Sequence, residues 1–332
     1  VAGDGSAAIG SPGLAPADVR EASRRLIGRL PPTPLLHSEE LDRRAGARLW
    51  LKAENMQRTG SFKVRGALLA AERLARAGSR GVLAQSTGNH AVAVAAACRE
   101  YGLLAVLVLP EDVVAAKADL IRRTGARVRL AGTTLDDRLE ALEELRLRLG
   151  YDVLDPYEDR DVVAGQGTAT AELVAQAAEA GVRLHAVVVP VGGGSAVAGA
   201  CLATGDSDVE VIAAEPATVP ALSAAVSHGR PTTVAAGLTI ADGLRPNRIG
   251  ALPFDVIRGR GVRAVTVPDS AIIEALRLAL EHVKVLIEPA AATALAVAAG
   301  LVERPPVAGP DIGVVLTGGN VDLPAILAML RG

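Results

Sequence analysis

Aromatic side chains are scarce in this sequence: two Phe, one Trp and three Tyr among 332 residues. With so few rings to stack on bases and no run of Lys or Arg to track phosphates, no nucleic-acid partner is expected. Cysteine is scarce too. Cys98 and Cys201 lie in separate Ala-rich, helix-like stretches without metal-ligand spacing, so they read as reduced core residues of a cytoplasmic protein. Long hydrophobic runs are missing. The most apolar, such as Ala186 to Val191, have strand length and end at Pro or Gly, so none reads as a membrane span. The opening Val1 to Pro16 is rich in Gly, Ala and Ser but lacks a basic start followed by an apolar stretch. It reads as a frayed tail, not a signal peptide. The formal net charge of −2 gives no strong field of either sign.

What is present is a regular alternation. Short apolar runs at Gly81 to Gln85, Leu104 to Leu109, Arg127 to Leu130, Ala186 to Val191, Val209 to Ala214 and Ile312 to Leu316 predict strands. Ala-rich amphipathic stretches predict helices, among them Lys63 to Ala77, Asn89 to Tyr101, Leu135 to Leu149, Thr168 to Ala180 and Ala196 to Thr204. Alternating strand and helix means βα units and mostly parallel sheets covered on both faces. The chain is too long for one simple core, so the expected fold class is α/β with two open parallel sheets.

Four segments can carry chemistry. In Thr59-Gly60-Ser61-Phe62-Lys63, Ser61 is a good helix N-cap, which puts Lys63 in the first helical turn. The dipole there disfavours an ammonium and suits a neutral amine or an imine, although a solvated lysine remains an equal alternative. Ser86-Thr87-Gly88-Asn89-His90 follows a strand and opens a helix, a place where free N–H groups receive a carboxylate or phosphate; a plain capped turn is the other reading. Gly192-Gly193-Gly194-Ser195-Ala196 also lies between strand and helix. It lacks G-x-G-x-x-G spacing and suits one phosphate better than a dinucleotide. Thr317-Gly318-Gly319-Asn320 ends a late strand, where ligands of open α/β sheets bind.

Taken together in this order, with Thr33-Pro34-Leu35, Gly165-Gln166-Gly167-Thr168, Ala214-Glu215-Pro216, Ile240-Ala241-Asp242-Gly243 and Ile287-Glu288-Pro289-Ala290, the segments resemble the fold-type II pyridoxal 5′-phosphate (PLP) enzymes, the tryptophan-synthase β-like group. Within it they are similar to the serine/threonine dehydratases and serine racemases. The resemblance implies that Lys63 carries PLP as a Schiff base and moves the Cα proton. It places Phe62 against the ring, Asn89 at O3′, Gly192, Gly193, Gly194, Ser195 and Ala196 around the phosphate, and Thr317 at the ring nitrogen. Ser86, Thr87, Gly88 and His90 would take the substrate carboxylate, and Arg138 would lie near the substrate.

The resemblance further implies a small domain, residues 79–155, inserted in a large PLP-binding domain, residues 1–78 and 156–332, and a homodimer. The expected reaction is dehydration and deamination of a small β-hydroxy amino acid of the threonine or serine type. The alternatives are a serine or aspartate racemase, for which Thr87 supplies the second base, and a β-elimination or β-replacement enzyme. Arg138 is either a second-carboxylate site or a solvated helix charge. Pro246 stands where a substrate-contacting Ser is known in the racemases, and Ala221 where their cation-binding Asp is known, so no metal ligands are assigned beside Glu215, and a divalent cation stays only as an alternative to PLP acting alone. No regulatory domain is expected after Leu330.

Overall fold

The structure, a computed structural model, describes residues 13–86, 88–113, 115–205, 207–303 and 307–331. In chain order the strands are β1 (Leu35–Leu36), β2 (Arg48–Lys52), β3 (Gly81–Gln85), β4 (Leu104–Leu109), β5 (Arg127–Leu130), β6 (Asp152–Val153), β7 (Ala186–Pro190), β8 (Glu210–Pro216), β9 (Arg263–Val267) and β10 (Asp311–Val315). The helices are α1 (Pro16–Leu26), α2 (Glu39–Ala45), α3 (Lys63–Arg76), α4 (Asn89–Glu100), α5 (Ala115–Arg123), α6 (Leu135–Leu149), α7 (Arg160–Glu179), α8 (Ser195–Thr204), α9 (Ala221–His228), α10 (Ala251–Ile257), α11 (Asp269–Leu278), α12 (Pro289–Ala298) and α13 (Leu323–Arg331).

Two sheets result. One has the order β1-β2-β10-β7-β8-β9 and is parallel except for β1; the other has the order β5-β4-β3-β6 and is parallel throughout. The two-residue period of a strand explains why both faces are covered. In β7 and β8, Ala186, Val188, Ile212 and Ala214 enter a core with α11 and α12, while Val187, Val189, Val211 and Ala213 enter another with α7, α8 and α10. In the smaller sheet, Val82 and Ala84 face α3 and α4, and Leu83 faces α6.

The predicted α/β class with parallel sheets is the observed one. The cysteines are free and buried, as expected. The stretch Val1 to Pro16 lies outside the described residues up to residue 12, and α1 starts at Pro16. The pattern missed β2 and β9, whose short apolar runs are bounded or interrupted by Arg48, Lys52, Arg263 and Thr266, and the two-residue strands β1 and β6.

Helix α7 starts at Arg160, eight residues earlier than the periodicity suggests, because Asp159 caps it by accepting the N–H groups of Asp161 and Val162 at 2.8 and 3.2 Å. Its first turns contain Gly165 and Gly167, poor helix formers. They are there for close approach. A Cβ on Gly165 would lie 2.5 Å from Gly66 Cα, and one on Gly167 would lie 2.6 Å from the Gly199 carbonyl oxygen. Thus α3 and α8, which open with Lys63 and with the glycine run's Ser195, are both seated on the same stretch of α7. Adding a methyl at such a contact moves backbone, not a side-chain tip. Gly199→Ala should lower the unfolding free energy by about 1–3 kcal/mol, read from urea denaturation.

Candidate active site

The lysine motif meets the late glycine motif through backbone pairing. Ser61 bridges Gly318, the Phe62 N–H donates to the Thr317 carbonyl at 3.1 Å, and the Gly319 N–H donates to the Gly60 carbonyl at 2.9 Å. This pairing corrects one expectation. Ser61 is extended (φ −164°), its hydroxyl finds no hydrogen-bond partner among the described residues, and α3 begins at Lys63 with no side-chain cap. Lys63 therefore stands at the uncapped positive end of a helix. Its Nζ lies 5.0 Å from the centre of the Phe62 ring. Burial pushes its pKa down to about 8, and the charge of Asp155 opposes the fall. A buried network anchors the helix below it. Arg65 donates to both oxygens of Glu54 at 2.8 and 2.7 Å and to Glu172 at 2.7 Å, and Lys52 pairs with Glu172 at 2.6 Å.

The glycine run leaves the end of β7 and turns into α8. Gly194 takes φ +103°, no side chain caps the helix, and Ser195 is buried in its first turn. A Cβ on Gly193 would overlap the Tyr157 ring. Backbone N–H groups at an uncapped helix start, free of side-chain bulk, form a cradle for one phosphate. This geometry and the depressed lysine fit PLP.

At the third motif, the Ser86 hydroxyl accepts the Gly88 N–H at 3.0 Å. Thr87 lies outside the described residues. Asn89 opens α4, and its amide is doubly held: Nδ2 donates to Glu288 at 2.7 and 2.9 Å, and Oδ1 accepts from Asn320 at 2.9 Å. Glu288, with 2% exposure, belongs to a quoted motif but received no role from the sequence. His90 places Nε2 3.1 Å from the Leu154 carbonyl, while Nδ1 has no partner among the described residues. Burial, with a smaller push from Lys63, lowers its pKa to about 3, so the imidazole is neutral.

Arg138 is not a solvated helix charge. It is 7% exposed, donates to the Thr134 carbonyl at 2.9 Å and reaches Gln85 at 3.5 Å, at the end of β3 that leads into Ser86. No carboxylate forms an ion pair with it among the described residues. Burial lowers its pKa, and the charges of Asp112 and Asp137 oppose the fall. The motif search missed Asp155 and Tyr157. They follow the two-residue strand β6 and carry no local signature.

The cation site known in the racemases does not fit this chain. Both oxygens of Glu215 are used at the start of α9: Oε2 accepts the Leu222 N–H at 2.8 Å, and Oε1 accepts the N–H and hydroxyl of Ser223 at 3.0 and 2.5 Å. Among the described residues no group of three or more His, Cys, Asp or Glu could hold a metal. Adding Mg²⁺, Ca²⁺ or Mn²⁺, or removing them with EDTA, should leave the thermal midpoint unchanged in a melting titration.

Comparison with known proteins agrees with this geometry. Residues 28–318 match the family described as pyridoxal-phosphate dependent enzyme. The L-threo-3-hydroxyaspartate ammonia-lyase of Saccharomyces cerevisiae is 33% identical over 95% of this chain and 96% of its own length. The T.th. threonine deaminase superposes with a TM-score of 0.86 at 39% identity, covering 94% of this chain and 99% of that one. Maize serine racemase superposes with a TM-score of 0.89 at 30% identity, covering 96% and 98%. No helix of the described residues is long and apolar enough to cross a membrane.

Proposed function

Because the chain belongs to the family of pyridoxal-phosphate dependent enzymes, we propose that it is a carbon–oxygen lyase converting a β-hydroxy amino acid to a 2-oxo acid and ammonia, and that this substrate bears a second carboxylate, as 3-hydroxyaspartate does. The observation that carries the lyase reading is Lys63, desolvated at the uncapped start of a helix that is seated on the same stretch of α7 as the helix behind the glycine cradle. Support for the second carboxylate is Arg138, a buried guanidinium beside the Ser86 turn. A guanidinium fork matches a carboxylate in both shape and charge. The yeast relative is named for such a substrate.

In this reading Gly192, Gly193, Gly194, Ser195 and Ala196 hold the cofactor phosphate, Phe62 lies at the ring face, Asn89 at O3′ and Thr317 at the ring nitrogen. PLP, when bound, supplies the electron withdrawal that loosens the bonds at Cα. The Lys63 nitrogen takes the Cα proton. The turn of Ser86, Thr87, Gly88 and His90 holds the α-carboxylate while Arg138 holds the distal one. Neutral His90 adds no second positive charge beside Lys63. The Thr317 hydroxyl does not force protonation of the ring nitrogen as an Asp would, which suits loss of the β-hydroxyl as the proton leaves Cα. Water departs from Cβ, hydrolysis of the released enamine takes one water up again, and the net products are a 2-oxo acid and ammonia. Residues 79–155 act as a small domain over the cleft, residues 1–78 and 156–332 form the large one, and the protein works as a cytoplasmic homodimer.

The test is 2-oxo acid release by PLP-loaded protein from L- and D-serine, L- and D-threonine, phenylserine and both 3-hydroxyaspartates. The expected result is release from a 3-hydroxyaspartate in preference to the rest. Conversion of L- to D-amino acid with no 2-oxo acid would replace the lyase with a racemase.

A further inference from the structure

The segment that leaves β6 runs between two parts of the site. On one side, the Leu154 carbonyl meets His90 Nε2 at 3.1 Å. On the other, the Tyr157 ring covers Gly193 of the cradle. Asp155 stands between these anchors, and the His90 side is tied to the lysine motif: the Asn320 amide donates both to Asn89, next to His90, at 2.9 Å and to the Thr59 carbonyl at 2.8 Å. Its Oδ1 accepts the N–H groups of Tyr157 and Glu158 at 2.8 and 2.7 Å, which fixes the carboxylate in a tight turn. Oδ2 has no hydrogen bond among the described residues. The segment is held beyond as well, since Glu158 accepts the N–H groups of Ala251 and Leu252 at 2.5 and 3.0 Å. Neither anchor nor turn depends on the charge of Asp155, because a neutral oxygen would accept the same two N–H groups.

A half-buried carboxylate kept in place by a turn that does not need its charge points to another use for that charge. We propose that Asp155 is a positioning residue for Lys63: its carboxylate is the counter-charge against which the lysine nitrogen gains and gives up its proton.

The surroundings agree. Burial drives the Lys63 pKa down, and Asp155 is the charge that raises it again. His90, the titratable group facing Lys63 from α4, is neutral and cannot take this part. Burial also raises the pKa of Asp155 itself. The Tyr157 and Glu158 N–H groups pull it back, the Glu158 charge pushes it up, and Lys63 lowers it. Tyr157 stays protonated at neutral pH, its pKa raised to about 12 by burial first and by Asp155 and Glu158 next. Removing the Asp155 charge therefore leaves desolvation unopposed, and Lys63 should lose its proton at lower pH. A neighbouring opposite charge shifts such a group by about one pH unit or more.

The inference rests on Lys63 being the PLP-bearing residue, but not on the substrate. Its test uses Asp155→Asn and Asp155→Ser, both of which keep a turn-forming oxygen and remove the charge, so that one folded variant suffices. In the PLP-loaded proteins, the absorbance of the Lys63-linked chromophore is titrated against pH without substrate. In the cofactor-free proteins, the rate of PLP capture is measured near pH 7, where the fraction of neutral lysine limits it. The expected results are a midpoint lower by about one pH unit and capture several-fold faster. An unchanged midpoint and rate in a folded variant would overturn the proposal. The substrate panel is read separately, so an enzyme inactive on every hydroxy amino acid would sink the lyase reading and leave this titration standing.

Discussion

Lys63→Met should abolish 2-oxo acid release, a loss of about four orders of magnitude or more, while the protein still folds and still binds PLP loosely. The loss is large because one nitrogen serves both as covalent attachment point and as proton carrier, and removing such a group is not offset elsewhere. Folding survives because the anchors of α3 lie outside Lys63: the Gly66 contact with α7, and the Arg65 pairs with Glu54 and Glu172. Borohydride followed by mass analysis should fix PLP to the wild-type peptide containing Lys63 and to none in the variant. A variant that retained trapped cofactor at another lysine would refute the assignment.

The same substitution has a stability signature with a definite sign. The folded-state pKa of Lys63 is depressed to about 8 by burial. Between that value and the ordinary lysine range, the unfolded chain binds more protons than the folded one, so wild-type stability rises with pH across this window. In the cofactor-free state the variant, which has no charge to desolvate, should melt higher than wild type near pH 7. The gap should close as pH rises from about 8 toward 10.4. Parallel melting curves over that range would mean that Lys63 is solvated.

Where a physical rule is local, the sequence carried it. Continuous apolar strands such as β7 and β8 announce burial on both faces, and glycines followed by a helix announce an anion cradle. Lys63 and the cradle were legible for this reason. What joins them was not. The pairing of Ser61 and Phe62 with Gly318 and Thr317 spans more than 250 residues and overrides the local capping preference of Ser61. The glycines of α7 are recognisable as crossing points only once Gly66 and Gly199 are known to face them. Asp155 follows a strand too short to have a pattern, and Glu288 is defined by contacts with Asn89 and Asn320 from distant parts of the chain. Arg138 shows a signal that was there but weak. Its chain neighbours Asp136, Asp137 and Glu140 are charged, yet Ala141, Leu142 and Leu145 stand three, four and seven residues on, so it lies on the buried face of α6 with its head withdrawn from water.

That withdrawal makes Arg138 the sharpest test of substrate choice. A buried guanidinium with no carboxylate paired to it among the described residues is costly to maintain, because its lost hydration is only partly replaced by the Thr134 carbonyl and Gln85. An incoming carboxylate at that position gains two charge-assisted hydrogen bonds at once and relieves the arginine. Serine and threonine offer nothing equivalent. Arg138→Ala should therefore cut kcat/KM on 3-hydroxyaspartate by about two to three orders of magnitude, the range expected when one partner of a buried charged pair is removed. On serine the change should stay within about threefold, or turn into a gain, because the uncompensated charge is gone. Arg138→Lys should recover little, since a single ammonium replaces the planar fork. Equal losses on both substrates would assign Arg138 to support of the Ser86 turn through Gln85, and would leave the distal carboxylate without a partner in this site.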